Sequence, residues 1–176
     1  MAGHYEPALL AALLPLITVA NPRLLASGRH YVAVTGTGEI AGCGGWSHER
    51  PGTGEIEPGL GHIRHFGTHP GWTGRGIGRA LLERCLHDNE REGVTCLECY
   101  ANLNAEGFYR ALGFAPVQPV RVSITPQLAM PALLMRRVPN NGVQELLTRV
   151  GHGAACSASW PASPNSTTCA SSPWRV

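Results

Sequence analysis

HIRHFGTHPGWTGRGIGRALLERCLHDNEREGVTCLECYANLNAEGFYRALGF, residues 62–114, is the stretch from which the fold can be read. It parses as strand, glycine-rich turn, helix, strand, turn and short helix. His62–Thr68 has the composition of a strand and stops at His69-Pro70-Gly71, where proline withdraws a ladder donor. Thr73–Gly78 is a turn with alternating glycines, and a helix opens from it. On that helix Ile77, Leu81, Leu82, Cys85 and Leu86 form an apolar stripe, while Glu83, Arg84, Asp88, Glu90 and Arg91 sit mostly opposite. Gly93 is the natural stop. Val94–Ala101 reads as the next strand, and Ala105–Leu112 as a short helix ended by Gly113.

The alternation Gly74, Gly76, Gly78 at a helix start has a chemical meaning. First-turn N–H groups have no partner inside the helix, and the helix dipole adds positive potential there. Glycine lets phosphate oxygens reach the backbone, and Arg75 and Arg79 add charge. The expected guest is a pyrophosphate. The spacing is not that of a dinucleotide fingerprint, because the third glycine would fall on Arg79 or Leu81, and no P-loop sequence is present. Taken alone, the turn is also compatible with an ordinary tight connection.

Working outward, Tyr5–Leu14 reads as a helix with Leu9, Leu10, Leu13 and Leu14 on one face. Asn21-Pro22 is a cap followed by proline, opening a short helix that Gly28 closes. His30–Val34 and Ile40–Trp46 flank a glycine turn and read as a hairpin. Gly42, Gly44 and Gly45 thin its second strand, so another backbone or a ligand is expected to approach closely. His48–Gly59 is a polar loop, and Val117–Ile124 and Ala129–Arg136 are late strands. Residues 1–138 form the expected domain. Residues 139–176, rich in Ser, Ala, Pro and Thr, read as a disordered tail.

The chain has 176 residues, 43% hydrophobic and 15% charged, with a net charge of +2. That suits one globular domain and argues against nucleic acid as a partner. No apolar run approaches the roughly 20 residues of a membrane span. The six scattered cysteines suggest a reducing, cytoplasmic setting rather than a disulfide scaffold. Cys96 and Cys99 form a C-x-x-C, but they point to opposite faces of a strand, and no metal is expected.

A second motif joins the first. Asn102-Leu103-Asn104-Ala105-Glu106-Gly107-Phe108-Tyr109-Arg110-Ala111-Leu112-Gly113-Phe114 has the form N-x-x-A-x-x-F-Y-x-x-x-G-F. With His69–Leu82 it resembles the GNAT acetyltransferase superfamily, from about Arg29 to Val138. The resemblance implies an α/β (α+β) fold, a mixed and mostly antiparallel sheet flanked by helices. A V-shaped opening between the strands at 62–68 and 94–101 would take acetyl-CoA as co-substrate. By position, the backbone of Phe66, Gly67 and Thr68 would pair with the pantetheine arm. The amides of Gly74, Arg75, Gly76, Ile77, Gly78 and Arg79 would hold the pyrophosphate, and Asn102 would lie by the pantetheine. Tyr109 would protonate the departing sulfur, and Glu98 would serve as base, with His62 and His65 as further candidates. An amine acceptor would complete a ternary complex. The alternatives are a non-catalytic acyl-CoA-binding or regulatory module, or an inactive truncated fragment. The family's first strand has no counterpart before Tyr5, so the strand at 30–34 is expected to be an open sheet edge, one that a second copy of the chain could cover.

Overall fold

The computed structural model describes residues 4–19, 21–138 and 174–176. The chain runs α1 (Pro7–Ile17), α2 (Pro22–Ala26), β1 (His30–Thr35), β2 (Ile40–Ser47), β3 (Leu60–Thr68), α3 (Ile77–Arg91), β4 (Cys96–Ala101), α4 (Glu106–Arg110), β5 (Ala115–Thr125), β6 (Leu128–Arg137) and β7 (Trp174–Arg175). The strands form one sheet in the order β5-β6-β4-β3-β2-β1-β7. Every neighbouring pair is antiparallel except β3 with β4. The expected mixed, mostly antiparallel sheet flanked by helices is what forms.

The helices follow their local signals. Asn21 Oδ1 accepts from the N–H groups of Arg23 and Leu24, capping α2 with Pro22 at its first position. α1 is longer than the leucine pattern indicates and carries Pro15 inside it. Leu13 is buried and packs with Tyr5 and Met130, flanked by Leu9 and Leu10. Leu14 leaves the expected face and is 44% exposed. On α3 the stripe Ile77, Leu81, Leu82 and Cys85 is buried, as the periodicity requires.

The thin second strand has a packing reason. A Cβ on Gly42 would lie 2.8 Å from Ile77 of α3, and one on Gly45 would lie 2.4 Å from the Arg29 carbonyl. The close neighbours here are this chain's own helix and backbone.

The edge at β1 is not wholly open. Trp174 and Arg175 pair antiparallel with Thr35 and Val34. The expected disordered tail therefore contributes a two-residue strand to the sheet, a correction made by backbone pairing that composition could not reveal. The remainder of that expectation, residues 139–173, lies outside the described residues. His30–Ala33 pair with β2 on one side and have no strand on the other among the described residues.

Candidate active site

β3 and β4 run parallel for only three pairs, Leu60 with Cys96, Gly61 with Leu97 and His62 with Glu98. Beyond His62 the register of β3 against β2 slips between Cys43 and Gly45. His65 there adopts φ of 50°, the one described non-glycine residue at positive φ. This bulge bends β3. Ile63–Thr68 and Cys99–Ala101 are left unpaired with one another, so a V-shaped opening forms with His62 and Glu98 at its apex.

At the mouth of the V, β3 runs through a short 3₁₀ turn, Pro70–Trp72, into α3. Gly74 and Gly76 have φ of 73° and 80°, conformations that a side chain resists. Gly76 is the N-cap of α3 and supplies no side-chain cap. The first intrahelical bond runs from the Ala80 N–H to the Gly76 carbonyl at 3.0 Å. The N–H groups of Ile77, Gly78 and Arg79 thus precede any helical partner and are free to meet an anion. The Arg75 guanidinium stacks 4.7 Å from the Trp72 ring. Arg79 lies 3.8 Å from Glu83, both exposed.

The motifs converge here. A Cβ on Gly78 would sit 3.1 Å from the Phe108 ring and 3.7 Å from Thr68 Oγ1. The end of β3, the start of α3 and the start of α4 therefore meet at one place. Gly67 has open space on its side-chain face, and Phe66 lies across Gly44. Half-buried Asn102 directly follows β4, and its carbonyl accepts from the Ala105 N–H at 2.8 Å.

Tyr109 is only 6% exposed. Its ring packs edge-on against Phe108 and Phe114. Burial, with the nearby Cys99 and Cys85 thiols, pushes its phenol well above the usual range. The proton is held on the oxygen.

Glu98 is not the solvated edge residue that a strand position could have made it. It is 2% exposed in the middle of the sheet. Oε1 accepts from Arg136 Nη2 at 2.5 Å and from Nε at 3.2 Å. Oε2 is buried without a hydrogen-bond partner and faces His62 Nδ1 at 3.9 Å. His62 is also 2% exposed. Burial is the main cause that lowers its pKa, outweighing the opposing effect of Glu98, while Arg50 and Arg64 lower it further. His65 is exposed on the bulge and stands apart from this buried pair.

Sequence reasoning missed three residues. Arg136 sits opposite Glu98 in the β4–β6 register, a partnership that no local pattern announces. Tyr5 fixes the end of β4: its hydroxyl donates to the Pro131 carbonyl at 2.9 Å and accepts from the Leu103 N–H at 3.0 Å. Arg64, two residues from His62 on β3, was detectable by strand alternation.

Among the described residues no group of three His, Cys, Asp or Glu could hold a metal ion, and Cys99 lies in the core while Cys96 does not. No described helix is long and apolar enough to cross a membrane.

Comparison with known proteins agrees with this architecture. Residues 26–116 match the acetyltransferase (GNAT) domain family. The N-alpha-acetyltransferase RimI of Mycobacterium tuberculosis is 35% identical over 98 residues, which cover 55% of this chain and 59% of that protein. The mycothiol acetyltransferase of Beutenbergia cavernae is 42% identical over 60 residues, 32% of this chain and 20% of that one. The chain thus spans less than two thirds of either relative. A GCN5-related N-acetyltransferase from Kribbella flavida superposes with a TM-score of 0.50 at 25% identity, covering 76% of this chain and 80% of its own. The ribosomal-protein-alanine N-acetyltransferase of Brucella melitensis shares the fold, with a TM-score of 0.54 at 19% identity over 77% of this chain and 97% of that one. With its family match spanning half its length and its sheet parted at the strands that the motifs border, this chain belongs to the GNAT acetyltransferase family.

Proposed function

We propose that the protein transfers the acetyl group of acetyl-CoA to an amine, directly, within a ternary complex. The observation that carries the reading is the glycine cap at Gly76, which leaves the first-turn N–H groups of α3 unpartnered at the mouth of the parted strands. A pyrophosphate fits these donors, and a pantetheine arm fits the unpaired edge at Phe66, Gly67 and Thr68.

Acetyl-CoA supplies an activated acetyl group as a thioester. The chain's residues do the rest. Gly74 through Arg79 anchor the phosphates, and Asn102 borders the arm. At the apex, Glu98 takes the amine's proton, directly or through neutral His62, because only a neutral amine attacks a carbonyl. The C–N bond forms and the C–S bond breaks. Tyr109 gives its proton to the leaving sulfur and regains one from solvent, to which Glu98 releases the proton it took. A cysteine relay is disfavoured, since burial pushes the Cys85 and Cys99 thiols up to about 12 and also raises Cys43 and Cys96. The free thiols of these four residues suit a reducing compartment, and we place the protein in the cytoplasm. A second copy pairing on His30–Ala33 would complete the sheet edge.

The test is thermal unfolding with and without acetyl-CoA, followed by a screen of amines. Ligand at ~100 times its Kd should stabilise the fold by about 2.7 kcal/mol, a shift of several degrees. A cooperative transition with no shift rejects acetyl-CoA binding. A shift without turnover on any amine would make the protein an acyl-CoA-binding module instead.

A further inference from the structure

Beside the apex lies a pocket of about 320 Å³, bounded by α2, the end of β2 and the loop after it. Arg23, Ser47, Glu49, Arg50 and Arg64 are among its lining residues. Ser47 joins it to the apex, because Ser47 and His62 are register partners across β2 and β3. Arg64 lies on the same strand as His62, and its charge is felt there.

Arg64 is unusual among the arginines of this face. It is half-buried, and burial lowers its pKa from the ordinary guanidinium value. Nη1 donates to Ser47 Oγ at 2.8 Å and to the Glu49 backbone carbonyl at 3.4 Å. These are neutral acceptors. No carboxylate lies within ion-pair distance of Arg64 among the described residues, and its Nε and Nη2 donors have no partner there. Arg50, in contrast, is paired with Glu57 and Glu55. Arg23 is also without a carboxylate among the described residues, and Glu49 is the one acidic lining residue. Glu49 is the one acid whose charge is felt at Arg64, through space, and burial outweighs it, so the cost of withdrawing this charge from water is only partly offset. A guanidinium fork with free parallel donors matches the geometry of a carboxylate or a phosphate.

We propose that this pocket selects acceptors that carry an anionic group beside the amine, with Arg64 binding the anion through Nε and Nη2 while the amine points to the His62–Glu98 apex. The inference deepens the acyl-transfer reading and rests on it. It narrows the acceptor to an amino acid or an aminoalkyl phosphate, and it makes Arg64 the specificity-determining residue.

The test uses the full chain and two matched pairs, L-alanine with L-alaninamide and 2-aminoethyl phosphate with ethanolamine. Binding is measured by calorimetry, and turnover with acetyl-CoA in parallel. At least one anionic member should bind about tenfold or more tighter than its neutral partner, and the pair with the larger ratio identifies the anion. Arg64→Gln should collapse that ratio to about one through KM, with stabilisation by acetyl-CoA unchanged. Arg64→Lys should keep part of the ratio, since it keeps the charge and loses the fork. If the glutamine variant does not fold, the wild-type ratio and the lysine variant decide. No anionic preference in the wild type, no measurable binding of any of the four, or a preference that survives Arg64→Gln each overturns the proposal. Failure of acetyl-CoA to stabilise the wild type rejects acyl transfer instead, while the calorimetric pairs still report on Arg64.

Discussion

At the start of α3, Gly74 through Gly78 present N–H groups and little else, and the conformation that aims them depends on two glycines at positive φ. Around the apex and its adjoining pocket the arrangement is reversed. Glu98, His62, Arg136 and Arg64 come from β3, β4 and β6, and their side chains carry all the polarity. The first region is made of backbone and the second of side chains, so they should respond to mutation in opposite ways. A backbone site tolerates loss of neighbouring charges but not of glycine. A side-chain site tolerates nothing at the atoms it uses.

The largest effect should come from Glu98→Gln, which keeps the shape and the Arg136 contact but removes the proposed base. We expect kcat to fall by about 10²–10⁴-fold in steady-state assays, with stabilisation by acetyl-CoA intact. Tyr109→Phe removes only the proposed proton donor to the sulfur, and its kcat should fall by about 100-fold with unchanged acetyl-CoA affinity. If Tyr109→Phe is silent, the tyrosine is core packing and the donor is a solvent molecule.

Next in size is Gly76→Ala. A side chain at φ of 80° costs about 1–2 kcal/mol, and the displaced N–H groups should weaken acetyl-CoA by about tenfold. Melting curves and calorimetry separate the two losses. Arg79→Gln tests the same region from the other side. Its exposed pair with Glu83 contributes at most about 0.5 kcal/mol, and acetyl-CoA affinity should stay within about threefold. A loss as large as that of Gly76→Ala would mean that the cradle is built from charge rather than backbone.

A pH series sharpens the contrast. His62 and His30 are both held below the ordinary value of 6.5, in each case mainly by burial. Between that value and their lowered folded ones, the unfolded chain binds more protons. Stability is therefore greatest above pH 6.5 and declines as pH falls through the lowered values. Melts between pH 5 and 7.5 should show this slope, and His62→Gln should reduce it. A flat profile would mean that the histidines are not desolvated.

These two regions also differed in what could be read beforehand. The cradle was legible because its glycines, its helix period and its motif lie within a few residues of one another. The positions of Asn102 just after β4 and of Tyr109 in α4 were legible for the same reason. Glu98 was named, but its environment was not, because Arg136 is 38 residues away and reaches it only through β4–β6 register. Nor could alternation show that Arg64 lacks a carboxylate, which depends on where the 48–59 loop places its acids. Trp174 and Arg175 gave no signal at all, since a two-residue strand is defined by its neighbour.

The three-pair ladder between β3 and β4 has a mechanical consequence. The sheet is two plates, β7-β1-β2-β3 and β4-β6-β5, riveted along a seam at one end, with α3 packed mainly on the first plate and its Leu82 and Cys85 sharing a core with Leu97, Cys99 and Met135 of the second. Such a joint opens at its free end before either plate frays. A molecule lying between the plates would act as a second rivet. Deuterium uptake at amides on both lips of the seam, Phe66–Thr68 and Cys99–Ala101, should then slow together when acetyl-CoA is added, while uptake along the β5–β6 hairpin stays unchanged.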